Sequence, residues 1–281
     1  MKTNILKAII NLAKAKNNKI MEIYRSNTRI NNVGDALEYY VKDLFCGTLN
    51  SNIKDKEKVY ADNFSYLGNQ NNPPDFIIEK GDGVEVKKIG GMRGSIALNS
   101  SYPKAKLFKN DPMITETCKN CEDWDEKDYI YSIGTVIDRK IKLLWMVYGD
   151  CYAAQKDTYE KVRKVIKKGV GSIKGVQFSE TKELGKVKKV DPLGITVLRV
   201  RGMWHIESPA KVFDYIVDYK GNKEFALYAI MKESKYLALP DIDRKQIESK
   251  KLDGLSISDI KIKDPNNPAK YLDAKLIQVI F

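Results

Sequence analysis

The chain has 281 residues, 43% hydrophobic and 10% aromatic, which is enough apolar material for a packed core and excludes wholesale disorder. Mean hydropathy is −0.43 and no apolar run approaches the ~20 residues of a membrane span, which excludes an integral helical membrane protein. With 49 Lys+Arg against 37 Asp+Glu the net charge is +12, a field that favours polyanions, nucleic acid first among them.

The first sixteen residues interleave Lys with Ile and Leu and contain no uninterrupted apolar core, unlike a signal peptide or anchor, so a cytoplasmic protein is expected. Thr3 is the expected cap of a helix carrying Ile5, Leu6, Ile9, Ile10 and Leu12. A second helix is expected from about Asn32, with Val33, Leu37, Tyr40, Val41 and Leu44 on one face. Strands are expected at 75–79 and 84–88, joined by a Gly81-Asp82-Gly83 turn, and then at 129–137 and 141–148. A helix over 157–168, a strand over 195–200 and a hairpin of 212–219 with 225–231 complete the pattern. Helices in front, a central sheet, and more helix and strand behind indicate an α/β or α+β class. No low-complexity linker divides the chain, so a single domain over 1–281 is expected. Its helical part is 1–50, its core 60–150, and 151–281 supplies further core and recognition elements.

Several enzyme classes lack their residues. His205 is the only histidine, and neither GxSxG nor a P-loop occurs, which argues against hydrolase triads and P-loop NTPases. Cys118-Lys119-Asn120-Cys121 has no second CxxC or CxxH, so zinc would need Cys46, Cys151 or His205 from afar. Reduced thiols are the simpler expectation.

The chemistry concentrates in Pro74-Asp75 followed by Glu85-Val86-Lys87. Strand alternation puts Glu85 and Lys87 on one face and Val84 and Val86 on the other. A hairpin brings Asp75 towards Glu85. Two carboxylates offer the oxygen ligands that Mg²⁺ prefers, and a nearby Lys can orient water and stabilise charge on phosphorus. The spacing alone is common in so charged a chain, and a charged hairpin edge is the plainer alternative.

Pro74-Asp75 with Glu85-Val86-Lys87 resembles the PD-(D/E)xK nuclease motif. Wider stretches resemble the NgoPII-type type II restriction endonucleases: residues 31–38 and 41–45, Phe64-Ser65-Tyr66-Leu67-Gly68-Asn69, and Asn72-Pro73-Pro74-Asp75. Others are Ala97-Leu98-Asn99-Ser100-Ser101, Glu180-Thr181-Lys182-Glu183-Leu184-Gly185 and Arg199-Val200-Arg201-Gly202-Met203-Trp204. The resemblance implies a restriction-endonuclease-like core with a central mixed sheet flanked by helices. It implies Mg²⁺-dependent cleavage of double-stranded DNA at GGCC, leaving 5′-phosphate ends, by a homodimer paired genetically with a DNA methyltransferase. It also promotes Glu38, on the second helix, as a third metal-site acid, with Asp35 as the lesser alternative. Read as a plain helix charge, Glu38 would pair with Lys42 at i+4.

Only eight of the basic residues are Arg, the side chain best suited to reading a guanine edge. Arg199 and Arg201 alternate on one face of an expected strand, which makes them candidate base readers or a salt-bridged surface pair. Arg93, Asn99, Ser100, Ser101 and Lys104 follow the Glu85-Lys87 strand and are candidate DNA contacts. Lys161, Lys164, Lys167 and Lys168 read as a solvated helix face, and Trp145 and Trp204 as core. A repair nuclease of similar fold and a non-catalytic nucleic-acid-binding protein remain the alternatives.

Overall fold

The computed structural model describes residues 2–20, 33–69, 72–249 and 251–281. In chain order the elements are α1 (Ile5–Ala15), α2 (Val33–Cys46), α3 (Ile53–Asn63), β1 (Phe64–Asn69), β2 (Asn72–Ile78) and β3 (Gly83–Ile89). Then come β4 (Ile96–Ala97), β5 (Lys106–Phe108), α4 (Glu116–Lys119), β6 (Glu126–Ile137), β7 (Lys140–Tyr148), α5 (Gly149–Tyr152) and α6 (Lys156–Gly171). The rest are β8 (Gly185–Lys188), β9 (Val197–Val200), β10 (His205–Ile206), α7 (Pro209–Val212), β11 (Ala226–Lys232), α8 (Glu233–Ala238), α9 (Asp241–Glu248), β12 (Leu255–Asp264) and β13 (Asn267–Ile280).

The main sheet runs β1-β2-β3-β6-β7-β11-β13-β12, with β5 added beside β6. It is mixed: β3 pairs parallel with β6 and β7 parallel with β11, and the other neighbours are antiparallel. The central strands β6, β7 and β11 are nearly continuous runs of buried residues, including Ile130, Leu144, Trp145 and Ile230, as expected of strands covered on both faces. Helix α2 lies against the sheet through Leu37. A Cβ on Gly134 of β6 would come within 2.7 Å of the Leu37 side chain, so only glycine permits this approach. This close packing fixes α2, and with it Glu38, over the middle of the sheet.

The observed α/β class, the central mixed sheet and the flanking helices agree with the sequence reading. Two local expectations are corrected. Asn4, not Thr3, caps α1: its Oδ1 accepts from the amides of Leu6 at 2.8 Å and Lys7 at 3.2 Å. Asn4 is the residue directly before the first helical position, where a short oxygen-bearing side chain reaches these orphan amides. Thr3 instead donates its hydroxyl to the carbonyl of Phe45 on α2. The second correction concerns 212–219, which is not a strand. Ser208 caps α7, Pro209 opens it, and the chain continues in turns whose buried Phe213 and Val217 are spaced by four. The apolar pattern there has a helical period, and β11 pairs with β7 and β13 instead.

Beyond the sheet, α6, β8 and β9 form a peripheral lobe. Helix α6 has no buried residue, and among the described residues β8 and β9 form a two-stranded sheet apart from the main one. Residues 156–206 hold 13 Lys and Arg against 5 Asp and Glu, so +8 of the chain's +12 sits here. His205 in β10 pairs with Ala97 in β4, which ties the lobe back to the segment after β3.

Candidate active site and DNA-facing cleft

Strands β2 and β3 pair as an antiparallel hairpin in the register Phe76↔Val84 and Ile77↔Gly83. One step further along, Asp75 faces Glu85, and the backbone ladder gives way to a side-chain bond. Asp75 Oδ2 accepts from the Val86 amide at 2.6 Å. Val84 and Val86 are buried on the opposite face, which leaves Glu85 and Lys87 to share the site face. Glu85 is held at both oxygens. Lys87 Nζ lies 2.5 Å from Oε1, and the hydroxyl of buried Tyr129 in β6 donates to Oε2 at 2.8 Å.

The electrostatics follow from crowding two acids in a desolvated place. Burial, and then the charge of Glu85, lift the Asp75 carboxyl well above the usual carboxylate range, although Lys87 pulls it down. Burial opposes the charged form of Lys87, but Glu85 and Asp75 outweigh it and hold its ammonium above the ordinary lysine value. Lys87 is therefore a fixed cation and donor. The charge of Glu38 is felt at both Asp75 and Lys87, although Glu38 is not among the residues that line the cleft. Glu38 simultaneously pairs with the largely buried Lys42 at 2.5 Å. Asp35 lies where side chains are outside the described part.

A cleft of about 1020 Å³ joins this hairpin to the basic lobe. Asp75, Glu85 and Lys87 line it, and so do Arg199, Arg201 and Glu183. Asn99, Ser100 and Ser101 also line it. Asn99 sits at φ 52°, a left-handed conformation that asparagine tolerates, and its carbonyl accepts from the Trp204 amide at 2.8 Å. The Ser101 hydroxyl is buried without a partner among the described residues.

Lys104 and Arg93 stand elsewhere. Lys104 is not available as a surface DNA contact: its ammonium is buried and paired with buried Asp111. Arg93 is outside the cleft lining and pairs with Asp214 at 2.7 Å. Trp145 is fully buried, whereas Trp204 is half-buried and lines the cleft, edge-on to Tyr102 and Tyr159. The α6 lysines are exposed as expected. The cysteines carry no disulfide, and Cys118 and Cys151 are buried.

Sequence reasoning missed Tyr129 and Glu183. Tyr129 read only as a strand residue, since nothing in its neighbourhood marks a partner 44 positions away. Glu183 lay in a quoted motif but had no role until its two arginines were seen beside it.

Among the described residues no three His, Cys, Asp or Glu side chains close around one metal position. Mg²⁺ is commonly held by one or two carboxylates together with substrate phosphate and water. Asp75 and Glu85 form such a pair, and their mutual repulsion is what a divalent cation would relieve.

A mixed sheet flanked by helices, with an acidic hairpin opening on a basic cleft, is the architecture of a restriction-endonuclease-like α/β protein. The NgoPII restriction endonuclease family matches residues 3–263. The chain is 50% identical over 279 residues to the type II restriction enzyme NgoPII of Neisseria gonorrhoeae, with 98% of each chain covered. No solved structure matches it significantly. The chain belongs to the NgoPII restriction endonuclease family and is an enzyme of the type II restriction class.

Proposed function

We propose that this enzyme hydrolyses phosphodiester bonds of double-stranded DNA at GGCC in a Mg²⁺-dependent reaction that leaves 5′-phosphate ends. One observation carries the reading: the Asp75/Glu85/Lys87 cluster and the Arg199/Arg201 pair line the same cleft. Cutting chemistry and base recognition then act on one bound duplex.

Asp75 and Glu85 are the groups that would hold Mg²⁺, and Glu38, paired with Lys42, adds negative charge nearby. When bound, the ion supplies Lewis-acid stabilisation of charge on the scissile phosphate and the leaving oxygen. Val86 N–H fixes the Asp75 carboxylate, and Tyr129 and Lys87 fix Glu85. Lys87, kept protonated by its acidic neighbours, orients the attacking water and neutralises charge that builds on the phosphoryl oxygens. It does so as a donor, not as a base. The Arg199/Arg201 pair supplies the recognition part of the cleft, and Asn99 and Ser100 face the backbone.

We read the whole chain, 1–281, as one nuclease domain that acts as a homodimer, since a palindrome cut on both strands calls for two-fold symmetry. A cytoplasmic setting with a partner methyltransferase that protects GGCC completes the restriction–modification pairing. The test is plasmid digestion with MgCl₂ and with EDTA. Discrete fragments ending at GGCC, formed only with Mg²⁺, are expected. A smear, nicking only at junctions or ends, or cutting in EDTA overturns the reading.

A further inference from the structure

Glu183 sits on the loop before β8, and its surroundings hold that loop still. Arg163 and Lys167 of α6 donate to the carbonyls of Lys182 and Thr181. The Thr181 hydroxyl accepts from the Glu183 amide at 3.1 Å, and the Leu184 amide donates to Val200 of β9 at 3.1 Å. The carboxylate is thereby fixed against the face of β9 that carries Arg199 and Arg201, two residues apart.

The two guanidinium groups use this carboxylate differently. Arg199 grips it with a whole edge: Nε reaches Oε2 at 2.9 Å and Nη2 reaches Oε1 at 2.5 Å. Arg201 donates only Nε, to Oε1 at 2.6 Å. Among the described residues no partner is found for either terminal nitrogen of Arg201. Its Nη1–Nη2 edge is therefore open, on a residue that lines the cleft and is already held at its Nε end. A guanine presents O6 and N7 as two adjacent acceptors in the major groove, which match such a fork. Arg199 has already engaged one of its two terminal nitrogens with Glu183, so its Nη1–Nη2 fork is partly committed where that of Arg201 is whole. One carboxylate between two guanidinium groups also leaves a net positive charge, so the group still attracts a duplex.

We propose that Glu183 is a positioning residue for sequence recognition, that Arg199 is its brace, and that Arg201 is the bidentate reader of guanine. The proposal rests on the reading that this cleft binds and cuts GGCC duplex. Pinning a long side chain before binding avoids losing its rotamer freedom in the complex, which favours discrimination over mere attraction.

The experiment uses the full-length enzyme with Mg²⁺ and short duplexes carrying GGCC or the same site with 7-deazaguanine, which lacks the N7 acceptor. Rates are measured for wild type, Arg201→Ala, Arg199→Ala and Glu183→Gln, each first checked for an unchanged melting temperature. Wild type should cut the 7-deaza site about 10- to 100-fold more slowly, the range of one good bidentate contact. Arg201→Ala should be slow on both duplexes and indifferent to the replacement. Arg199→Ala should keep the sensitivity. Glu183→Gln should raise KM and narrow the gap between cognate and one-base-changed sites, with kcat at saturation nearly unchanged. If Arg199→Ala rather than Arg201→Ala abolishes the sensitivity, or if no variant does, this assignment falls while the nuclease reading stands. A wild-type enzyme that leaves GGCC duplex uncut overturns both.

Discussion

Lys87 folds back along its own strand to set its ammonium 2.5 Å from Glu85 Oε1, while Tyr129 from the neighbouring strand donates to Oε2. Every oxygen of Glu85 is thus oriented before any substrate arrives. The first consequence is for Lys87→Ala. With its cation gone, cleavage of a GGCC duplex should fall by about 100- to 1,000-fold, on the scale of removing one transition-state donor. Gel-shift binding to the same duplex should survive. Near wild-type turnover in this variant would contradict the assignment.

Tyr129→Phe probes the other oxygen. Its hydroxyl contacts the site only through Glu85, so the loss should be smaller, about 10-fold in rate, with more Mg²⁺ needed for half-maximal activity. A Mg²⁺ titration of cleavage rate measures it. An unchanged Mg²⁺ requirement would show that the hydrogen bond does not tune Glu85.

Asp75 makes stability depend on pH in an uncommon direction. Burial and Glu85 raise its carboxyl in the folded state, so the folded protein binds this proton more tightly than the unfolded chain. Between the usual carboxylate value and the raised one, its contribution to stability is lost as pH rises. Asp75→Asn, which cannot ionise, should melt higher than wild type at pH 8 in EDTA, and the difference should shrink towards pH 4. Added Mg²⁺ should raise the melting temperature of wild type more than that of Asp75→Asn. Cleavage should also decline on the acid side at a pH above the ordinary carboxylate range. Identical melting curves across pH would remove this account of Asp75.

The basic lobe predicts salt behaviour. Lys161 and Lys168 are exposed on α6, in the segment that carries +8. Replacing each with Ala should weaken binding to all duplex sequences alike and lower the slope of log K against log salt by about 1 per residue. Fluorescence anisotropy over a salt series tests this. A variant that weakens only cognate binding would place the lysine among base readers instead.

Away from the cleft, Lys56 lies 2.5 Å from Asp43, which also accepts from Thr48 and Tyr60 at 2.6 Å each. Both side chains of the pair are almost fully buried. Lys56→Met should cost about 3–5 kcal/mol by leaving a buried carboxylate undercompensated. Urea unfolding would measure it, with activity per folded molecule retained.

Much of this was legible in the chain itself. The apolar stripe of α1, the long strands β6 and β7 and the β2–β3 hairpin all follow from local periodicity and turn residues. The Asp75, Glu85 and Lys87 spacing is local too, because both arms of one hairpin carry it. Where the reading failed, a local signal was ambiguous. Phe213 and Val217 suit a helix period as well as a β-rich segment, and Ser208-Pro209 decided between them. Lys104 looks like a DNA contact by charge and position, yet it is buried against Asp111.

The sequence by itself determined the positive field, the class of fold and the strand that alternates acid and base with valine. These depend on composition and on neighbours a few positions apart. Only the tertiary structure decided which charges work together. Tyr129 meets Glu85 because β3 and β6 lie side by side in parallel, and the charge of Glu38 reaches Asp75 because Leu37 packs α2 on Gly134. Glu183 gathers Arg199 and Arg201 because β8 and β9 pair in one register. Contacts between residues distant in sequence depend on packing and register, which no short window of residues encodes.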